Sequence, residues 1–596
     1  MLREPILRVR PWFLGLLAAG LAVRIAFVLS LADVFVYGEE LEKGTAAKAM
    51  LDRLGVEHHR LAYHYYEGGG FVVSHLKALA FLLVGQNLLA HKLVALAFFA
   101  AIFVTGFKLC RRHFGGTTAV SFGALFALGP EAFQKLSLIS LGIHFEASLF
   151  ALLAFSATMT LIWRDRAGWR AIFLLGLAGG FGCYFSYQLV PVVAWCGLWL
   201  VLRRPHFVLG PLGLVGLAGF ALGLVPLGLM WREVGEQVFF VHGTWLLDQQ
   251  GPAGVPNSFL LRDFVRSLYL DKTPLQLVGV VAWPLAFVAS TLQAVFAVDR
   301  DEREHRGEEL FLALFVPYWL TIYFLSSFVQ GEVYHYFLFN RFAILWAVSA
   351  IVIARGLARQ LRSEEATTVT LGAACSVALA AVGLLGAWHV LRTGRPFALE
   401  HNASALVRTK GYSYAPYFAK FIPHLEGTAR EKLTVLARFR EERRDLLYPA
   451  ITSELYKDSD RTFEELYATF EEFDAEGASD LVKGLGPLVL RRTNADLASA
   501  LKAVEGAPER YREALREAVG RFGADYRLTA ADLDVEVAAG LGRAGAVDYW
   551  FGLGDRVRRH FWRRPDLALE FIARQPEEAR GPLETGWRAA IDRQRL

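Results

Sequence analysis

The chain has 596 residues, 54% of them hydrophobic and 20% charged, with a mean hydropathy of +0.33. That balance excludes an ordinary soluble globular protein and points to a polytopic membrane protein. A net charge of +5 over this length carries no nucleic-acid signature, and four cysteines (Cys110, Cys183, Cys196, Cys375), all in or beside apolar runs, supply no disulfide framework.

The N-terminus, Arg3 to Arg10 followed by the apolar run 11–32, has the outline of a signal peptide, with Ser30-Leu31-Ala32 as a tolerable cleavage pattern. Its apolar core exceeds the roughly 7–15 residues usual for one, so it reads as an uncleaved anchor. Runs long enough to cross a bilayer lie at residues 12–32, 88–107, 117–133, 143–163, 207–231, 276–298, 309–328, 336–354 and 367–391. A further run, 171–202, is too long for one comfortable helix. Pro191 and the polar patch Tyr184–Gln188 divide it into two short helices joined by a tight turn. Eleven crossings result.

Basic clusters sit at Arg3–Arg10, Lys108–His113, Arg164–Arg170, Arg203–His206, Arg300–Arg306 and Arg355–Arg362. Eleven crossings put all of them on one side, which the positive-inside rule identifies as cytoplasmic. The scheme requires that Phe71–Gly85 not cross. That segment is short and carries Ser74, His75 and Lys77, which suits a helix lying in the interface. Two sizeable loops, Asp33–Gly70 and Arg232–Lys272, then face outward, and the tail from Arg392 emerges on the same side.

The first of these loops opens with Asp33-Val34-Phe35-Val36-Tyr37-Gly38-Glu39-Glu40, three carboxylates within eight residues where an apolar run meets water. Charge at a membrane boundary is either used or merely solvated. The stretch alone admits both readings.

The tail divides from the membrane part at residues 391/392 and is rich in Glu, Arg, Ala and Leu at helical spacing. Lys483-Gly484-Leu485-Gly486 recurs as Phe551-Gly552-Leu553-Gly554, and Ala507-Pro508-Glu509 recurs as Gln575-Pro576-Glu577, both at the same offset. Such recurrence predicts stacked helical units, a short solenoid that binds a partner or acts as a spacer. No His/Glu or Ser/His constellation in the tail suggests catalysis. The fold class expected for the whole is all-α: about eleven transmembrane helices followed by a soluble helical-repeat domain.

The membrane part resembles a known family. A long outward loop with an acidic pair after the first helix, an interfacial segment ending in Leu83-Val84-Gly85, and a second span ending in Lys108–Gly115 look like the GT-C glycosyltransferases. The protein O-mannosyltransferase and aminoarabinose-transferase types are the nearest in layout. The likeness continues through Leu141–Ala147 and reaches Tyr334–Phe342, covering about residues 1–390. It implies inverting transfer of a sugar from a polyprenyl-phosphate donor to a protein or glycan acceptor on the outer face of a bacterial inner membrane, with the tail periplasmic.

Residue by residue, the resemblance puts Glu39 at the position of the catalytic acid, with Glu40 beside it, and Glu146 at a second acidic position. Glu39 is then the general base, Glu40 orients it or a bound divalent metal ion, the one cofactor it leaves open, and Glu146 completes the acceptor site. Arg341, Arg232, His335 and Lys43 lie near outer membrane ends and are candidates to neutralise a lipid phosphate, Arg offering a bidentate contact. For Arg232 and Lys43 snorkelling to the interface is the plainer alternative. Tyr37, His144, Tyr187 and Gln188 would line the acceptor and lipid cavity.

The chain departs from the family in having Glu39 for the usual Asp, and Tyr187-Gln188 where relatives often carry a Lys. His58, His59, His64 and His75 match no strong metal-ligand spacing. Two other classes compete: a catalytically silent scaffold whose tail binds a periplasmic partner, and a transporter. Acidic residues at outer ends rather than mid-bilayer, and a repeat confined to the tail, argue against transport.

Overall fold

The computed structural model describes residues 9–31, 68–85, 88–163, 168–234, 274–296, 300–325, 342–393, 444–456, 459–493, 496–522, 542–560 and 565–595, with isolated positions 40, 43, 44, 47, 50, 51 and 433. Among the described residues there is helix and turn but no strand. The chain divides into two compact units, Met1–Pro396 and Phe397–Leu596.

The first unit contains α1 (Val9–Leu31), α2 (Gly68–Val84), α3 (Leu88–Phe114), α4 (Gly116–Ala127), α5 (Glu131–Leu136), α6 (Ala147–Trp163), α7 (Trp169–Phe185) and α8 (Leu189–Arg203). It continues through α9 (Pro205–Leu209), α10 (Pro211–Gly223), α11 (Val225–Val234), α12 (Pro274–Val295), α13 (Arg300–Leu325), α14 (Ala343–Leu361) and α15 (Ala366–Thr393). Four of these, around α1, α3, α14 and α15, are long and apolar enough to cross a membrane, and seven more are shorter apolar helices.

Every predicted run contains a described helix, and proline resets the edges of two. The run 117–133 stops at Ala127 because Pro130 follows, and α5 is a separate short helix. The run 207–231 breaks ahead of Pro226 into α10 and α11. The run 171–202 does form two helices, broken at Ser186-Tyr187-Gln188.

Packing fixes the direction of each helix. Val9 stands over Gly116 and Leu16 over Gly123, so α1 and α4 run parallel. The stack of Phe99 on Phe126 and the contact of Phe103 with Phe122 make α3 antiparallel to α4. Close approach of Gly176 to Gly216 and of Gly180 to Phe220 makes α7 and α10 parallel; such small-residue contacts are how helices associate where lipid removes the hydrophobic drive between them. Trp195 Nε1 donates to Phe311 O at 3.0 Å and Tyr318 Oη to Pro191 O at 3.3 Å, setting α8 against α13 antiparallel. Trp283 with Ser349 and Ser290 with Gly356 set α12 parallel to α14.

These directions give the bundle two polar ends. At one, His113 Nδ1 lies 2.8 Å from Glu308, Arg355 and Arg359 reach Glu309 at 2.5 and 2.6 Å, and Arg204 donates to Ile162 O. Among the described residues the basic clusters named above gather at this end. At the other end lie the starts of α3, α6 and α8. From Lys92 to His113 along α3 is about 32 Å at helical rise, close to the ~30 Å of a bilayer's hydrocarbon core.

The short helix α2 belongs wholly to the far end. Its first residues, Gly68 and Gly69, meet Tyr184, Gly142 and Phe185, and Gly85 closes it just before α3 begins. It therefore lies across the bundle end rather than along the spans. Lys77 and Ser74 face inward while Leu79, Leu82 and Leu83 are exposed.

The second unit contains α16 (Arg444–Tyr456), α17 (Phe463–Phe473), α18 (Ala478–Val482), α19 (Gly486–Arg492), α20 (Leu497–Glu505), α21 (Glu509–Phe522), α22 (Gly542–His560), α23 (Pro565–Ala573) and α24 (Glu577–Arg595). Helices α17, α20 and α23 start at Phe463, Leu497 and Pro565, so the second interval is twice the first. Thr462 and Asp496 cap the first two, each accepting a backbone N–H three residues on, worth about 1 kcal/mol per cap.

The facing helices touch in the same register. A Cβ on Gly484, Gly552 or Gly586 would run into the carbonyl oxygen of Pro449, Glu517 or Phe551 respectively. In all three pairs the carbonyl precedes its glycine by the same interval along the chain. The structural unit is thus half the offset seen in the sequence, and it matches the length of about 34 residues usual for a helix–turn–helix repeat. Ala518 stands where the flanking units have Gly484 and Gly552, which hides the shorter period in the sequence.

Candidate functional site

The end of the bundle away from the basic clusters holds a buried ionic cluster. Glu40 is 1% exposed, and such a carboxylate is tolerable only if paired and hydrogen-bonded. One of its oxygens accepts from Lys92 Nζ at 2.7 Å. The other accepts from the backbone N–H of Ser140 at 3.2 Å and its hydroxyl at 3.1 Å. Lys77 Nζ reaches the Glu40 carbonyl oxygen at 3.1 Å and lies 4.0 Å from its carboxylate. Lys92 also donates to Leu138 O at 3.1 Å. Both lysines are buried, one from the middle of α2 and one from the first turns of α3.

The segment 137–146 is the frame of this cluster. It runs without regular helix from the end of α5 to the start of α6. Gly142 takes φ +85°, and a Cβ there would overlap Gly69 O, so only glycine permits this contact with the start of α2. Ser186 Oγ donates to Ile143 O at 2.7 Å, tying the segment to the α7–α8 turn. The Gln188 side-chain amide pairs with His144 Nδ1 in the same place.

Glu146 closes the segment. Helix α6 begins only at Ala147, so the carboxyl stands in the turn ahead of the apolar helix. It is 1% exposed, and apart from the backbone N–H groups at Gly142 and Glu146 itself its oxygens meet no hydrogen-bond donor among the described residues. Burial pushes its pKa up to about 7 from 4.5. The nearby backbone of Glu146 and Gly142 and the charge of Lys77 oppose that rise, and the charge of Glu40 reinforces it. Glu146 is therefore a carboxyl that exchanges its proton near neutrality, beside a lysine and an ionic cluster.

Of the residues nominated from the sequence, Glu40, Glu146, His144 and Gln188 are brought to this end of the bundle, and Tyr187 is half-buried in the same turn as Gln188. Lys43 packs on Gly70 at the start of α2. Arg232 is exposed on α11, and no described contact joins it to the cluster. Tyr37, Glu39, His335 and Arg341 lie outside the described residues, as do His58, His59 and His64. His75 is on the exposed side of α2, its ring against Phe71. Among the described residues no group of three or more His, Cys, Asp or Glu is arranged to hold a metal.

Sequence reasoning passed over Lys92 and Ser140 and read Lys77 only as a mark of an interfacial helix. A signal existed for both lysines: each is the lone charge within an apolar helical stretch, which is costly without a partner. No signal tied Ser140 to a glutamate 100 residues away.

No protein-family model and no curated protein matches the chain. Among solved structures it is similar to ArnT from Cupriavidus metallidurans bound to undecaprenyl phosphate, at 16% identity over 84% of this chain and 81% of that one, with a TM-score of 0.43. It is also similar to the archaeal oligosaccharyltransferase AglB from Archaeoglobus fulgidus in complex with an inhibitory peptide and a dolichol-phosphate. That likeness is at 13% identity over 69% of this chain and 59% of that one, with a TM-score of 0.38.

Proposed function

We propose that the chain is a membrane glycosyltransferase that moves a sugar from a polyprenyl-phosphate donor to an acceptor hydroxyl at the end of the bundle holding Glu40 and Glu146. The observation that carries this reading is the convergence of Lys77, Lys92, Glu40 and Glu146 beneath α2, at the end away from the basic clusters. Buried lysines at a membrane boundary suit the phosphate of a lipid whose tail stays in the bilayer.

Glu40 is held by Lys92 and Ser140, so its part is to orient the lysines. A general base must ionise near working pH and have oxygens free to take a proton. The sequence nominated Glu39; among the described carboxylates Glu146 meets both conditions. In the step proposed, the acceptor oxygen bonds to the sugar's anomeric carbon as its proton passes to Glu146. The bond from that carbon to the phosphate oxygen breaks, and the lipid phosphate leaves with the electron pair and inversion at carbon. Lysine charge offsets the growing anion. Arg341, His335 and Lys43 keep their proposed part in holding the phosphate, and Glu39 orients the acceptor or a divalent metal.

The side bearing this cluster is proposed to be periplasmic, with residues 392–596 a helical unit there that binds the acceptor or a partner protein. In proteoliposomes supplied with polyprenyl-phosphate sugars, Glu146→Gln should lower transfer by about 10²–10⁴-fold while undecaprenyl phosphate still binds. Lys77→Met should instead weaken that binding. Wild-type activity in both variants overturns the reading. Lipid-phosphate binding with no transfer by the wild type favours the silent scaffold.

A further inference from the structure

Arg24 on α1 is a fully buried arginine that the proposed chemistry does not use. Its Nε donates to Ser137 Oγ at 2.8 Å, and its Nη1 donates to Ala127 O at 2.8 Å and Gly20 O at 3.1 Å. The guanidinium lies 3.7 Å over the Phe99 ring. One side chain thus joins α1, the end of α4, α3 and the first residue of the segment 137–146. Ser137 in turn donates to Gln134 O at 2.7 Å, and the Gln134 amide donates to Gly383 O at 2.8 Å, which fixes the segment's root against α15.

The residues directly after Ser137 make the contacts that hold the cluster: Leu138 O accepts from Lys92, and Ser140 donates twice to Glu40. A short segment anchored at its root by a rigid, planar donor has few ways to shift, whereas an unanchored one would be free to turn Ser140 away. We infer that Arg24 is a positioning residue: by holding Ser137 it sets the place of Ser140 and Leu138, and through them the orientation of Glu40 and Lys92. This deepens the transferase reading and rests on it.

The test is a double-mutant cycle of Arg24→Gln and Ser140→Ala in full-length protein, read as kcat for transfer and as binding of undecaprenyl phosphate. Each single change should lower kcat by about 10-fold, and together they should cost little more than either, because both act through one contact. Arg24→Lys, which keeps a charge and a donor, should recover part of the loss. Multiplied losses in the double variant overturn the inference, as does unchanged kcat with lowered thermal stability.

Amide hydrogen exchange supplies a reading that needs no activity. Arg24→Gln, and the gentler Ser137→Ala should the first not fold, should speed exchange across 137–142 by about 10-fold or more while α6 and α8 stay protected. Equal rises throughout the bundle, or none at 137–142, overturn the positioning role. Absent wild-type transfer would sink the enzymatic reading, and the exchange result would still decide the role of Arg24.

Discussion

Ser140 places both its backbone N–H and its hydroxyl on one oxygen of Glu40, while Lys92 holds the other oxygen at 2.7 Å. A buried carboxylate with this many donors is held fixed, and it in turn gives Lys92 a partner in a buried place. Lys92→Met should therefore destabilise the bundle by about 3–5 kcal/mol, by leaving Glu40 buried without its cation. The double variant Lys92→Met with Glu40→Gln should recover much of that loss. Thermal unfolding in detergent checks both, and equal midpoints for the single and double variants would contradict the pairing.

The pKa of Glu146, pushed up to about 7 by burial, sets the pH behaviour. As a base it works only when ionised, so transfer should rise with pH and level off above about 7. Its effect on stability has the opposite direction. The folded state holds the proton more tightly than the unfolded chain between 4.5 and about 7, so stability falls as pH rises through that window. Glu146→Gln should flatten both profiles. A transfer profile already level at pH 5 would assign the base elsewhere.

Topology is checked by reporter fusions. One placed after Gly85 and one after Arg395 should both report the non-cytoplasmic side, since α2 lies across the bundle end and α15 runs parallel with α1 and α4. A cytoplasmic signal from either reverses the assignment of the two ends.

The repeat register of the second unit predicts a contrast between two glycines. A Cβ on Gly552 would overlap Glu517 O, whereas one on Gly581 would meet nothing within 4 Å. Gly552→Ala should lower the unfolding midpoint of the helical signal by the equivalent of about 1–3 kcal/mol, because backbone must move to admit the methyl. Gly581→Ala should cost much less, since beyond the adjoining Pro582 nothing lies within 4 Å of the new Cβ. Similar losses from both would refute the close helix contact.

The same unit should weaken in alkali. Burial pushes the phenols of Tyr467 and Tyr511, which pack at 4.9 Å, up to about 12. For an acid whose folded pKa is raised, stability is intact below the unfolded value near 10 and is lost as pH climbs toward 12. Tyr467→Phe should reduce that loss, as read by circular dichroism at rising pH.

Much of the architecture was legible because it is local. Apolar length, the break of a run at proline, and the side on which Lys and Arg collect are properties of contiguous residues, and they predicted the helices, the break at Ser186–Gln188 and a short α2 set apart from the long spans. The acidic stretch at Asp33–Glu40 and the isolated Glu146 were visible for the same reason: charge beside an apolar run stands out.

Tertiary structure decided what those charges meet. Lys77, Lys92 and Ser140 reach Glu40 from 37, 52 and 100 residues away, distances at which composition carries no pairing information. The sequence marked each lysine as expensive without showing which carboxylate would accept it. It likewise revealed the tail's repeat only at twice its true period, because Ala518 interrupts the glycine pattern that helix packing follows at Gly484, Gly552 and Gly586. Helix direction, close approach at Gly142 and the burial that raises Glu146 are all consequences of which surfaces meet, so they appear only once the chain is folded.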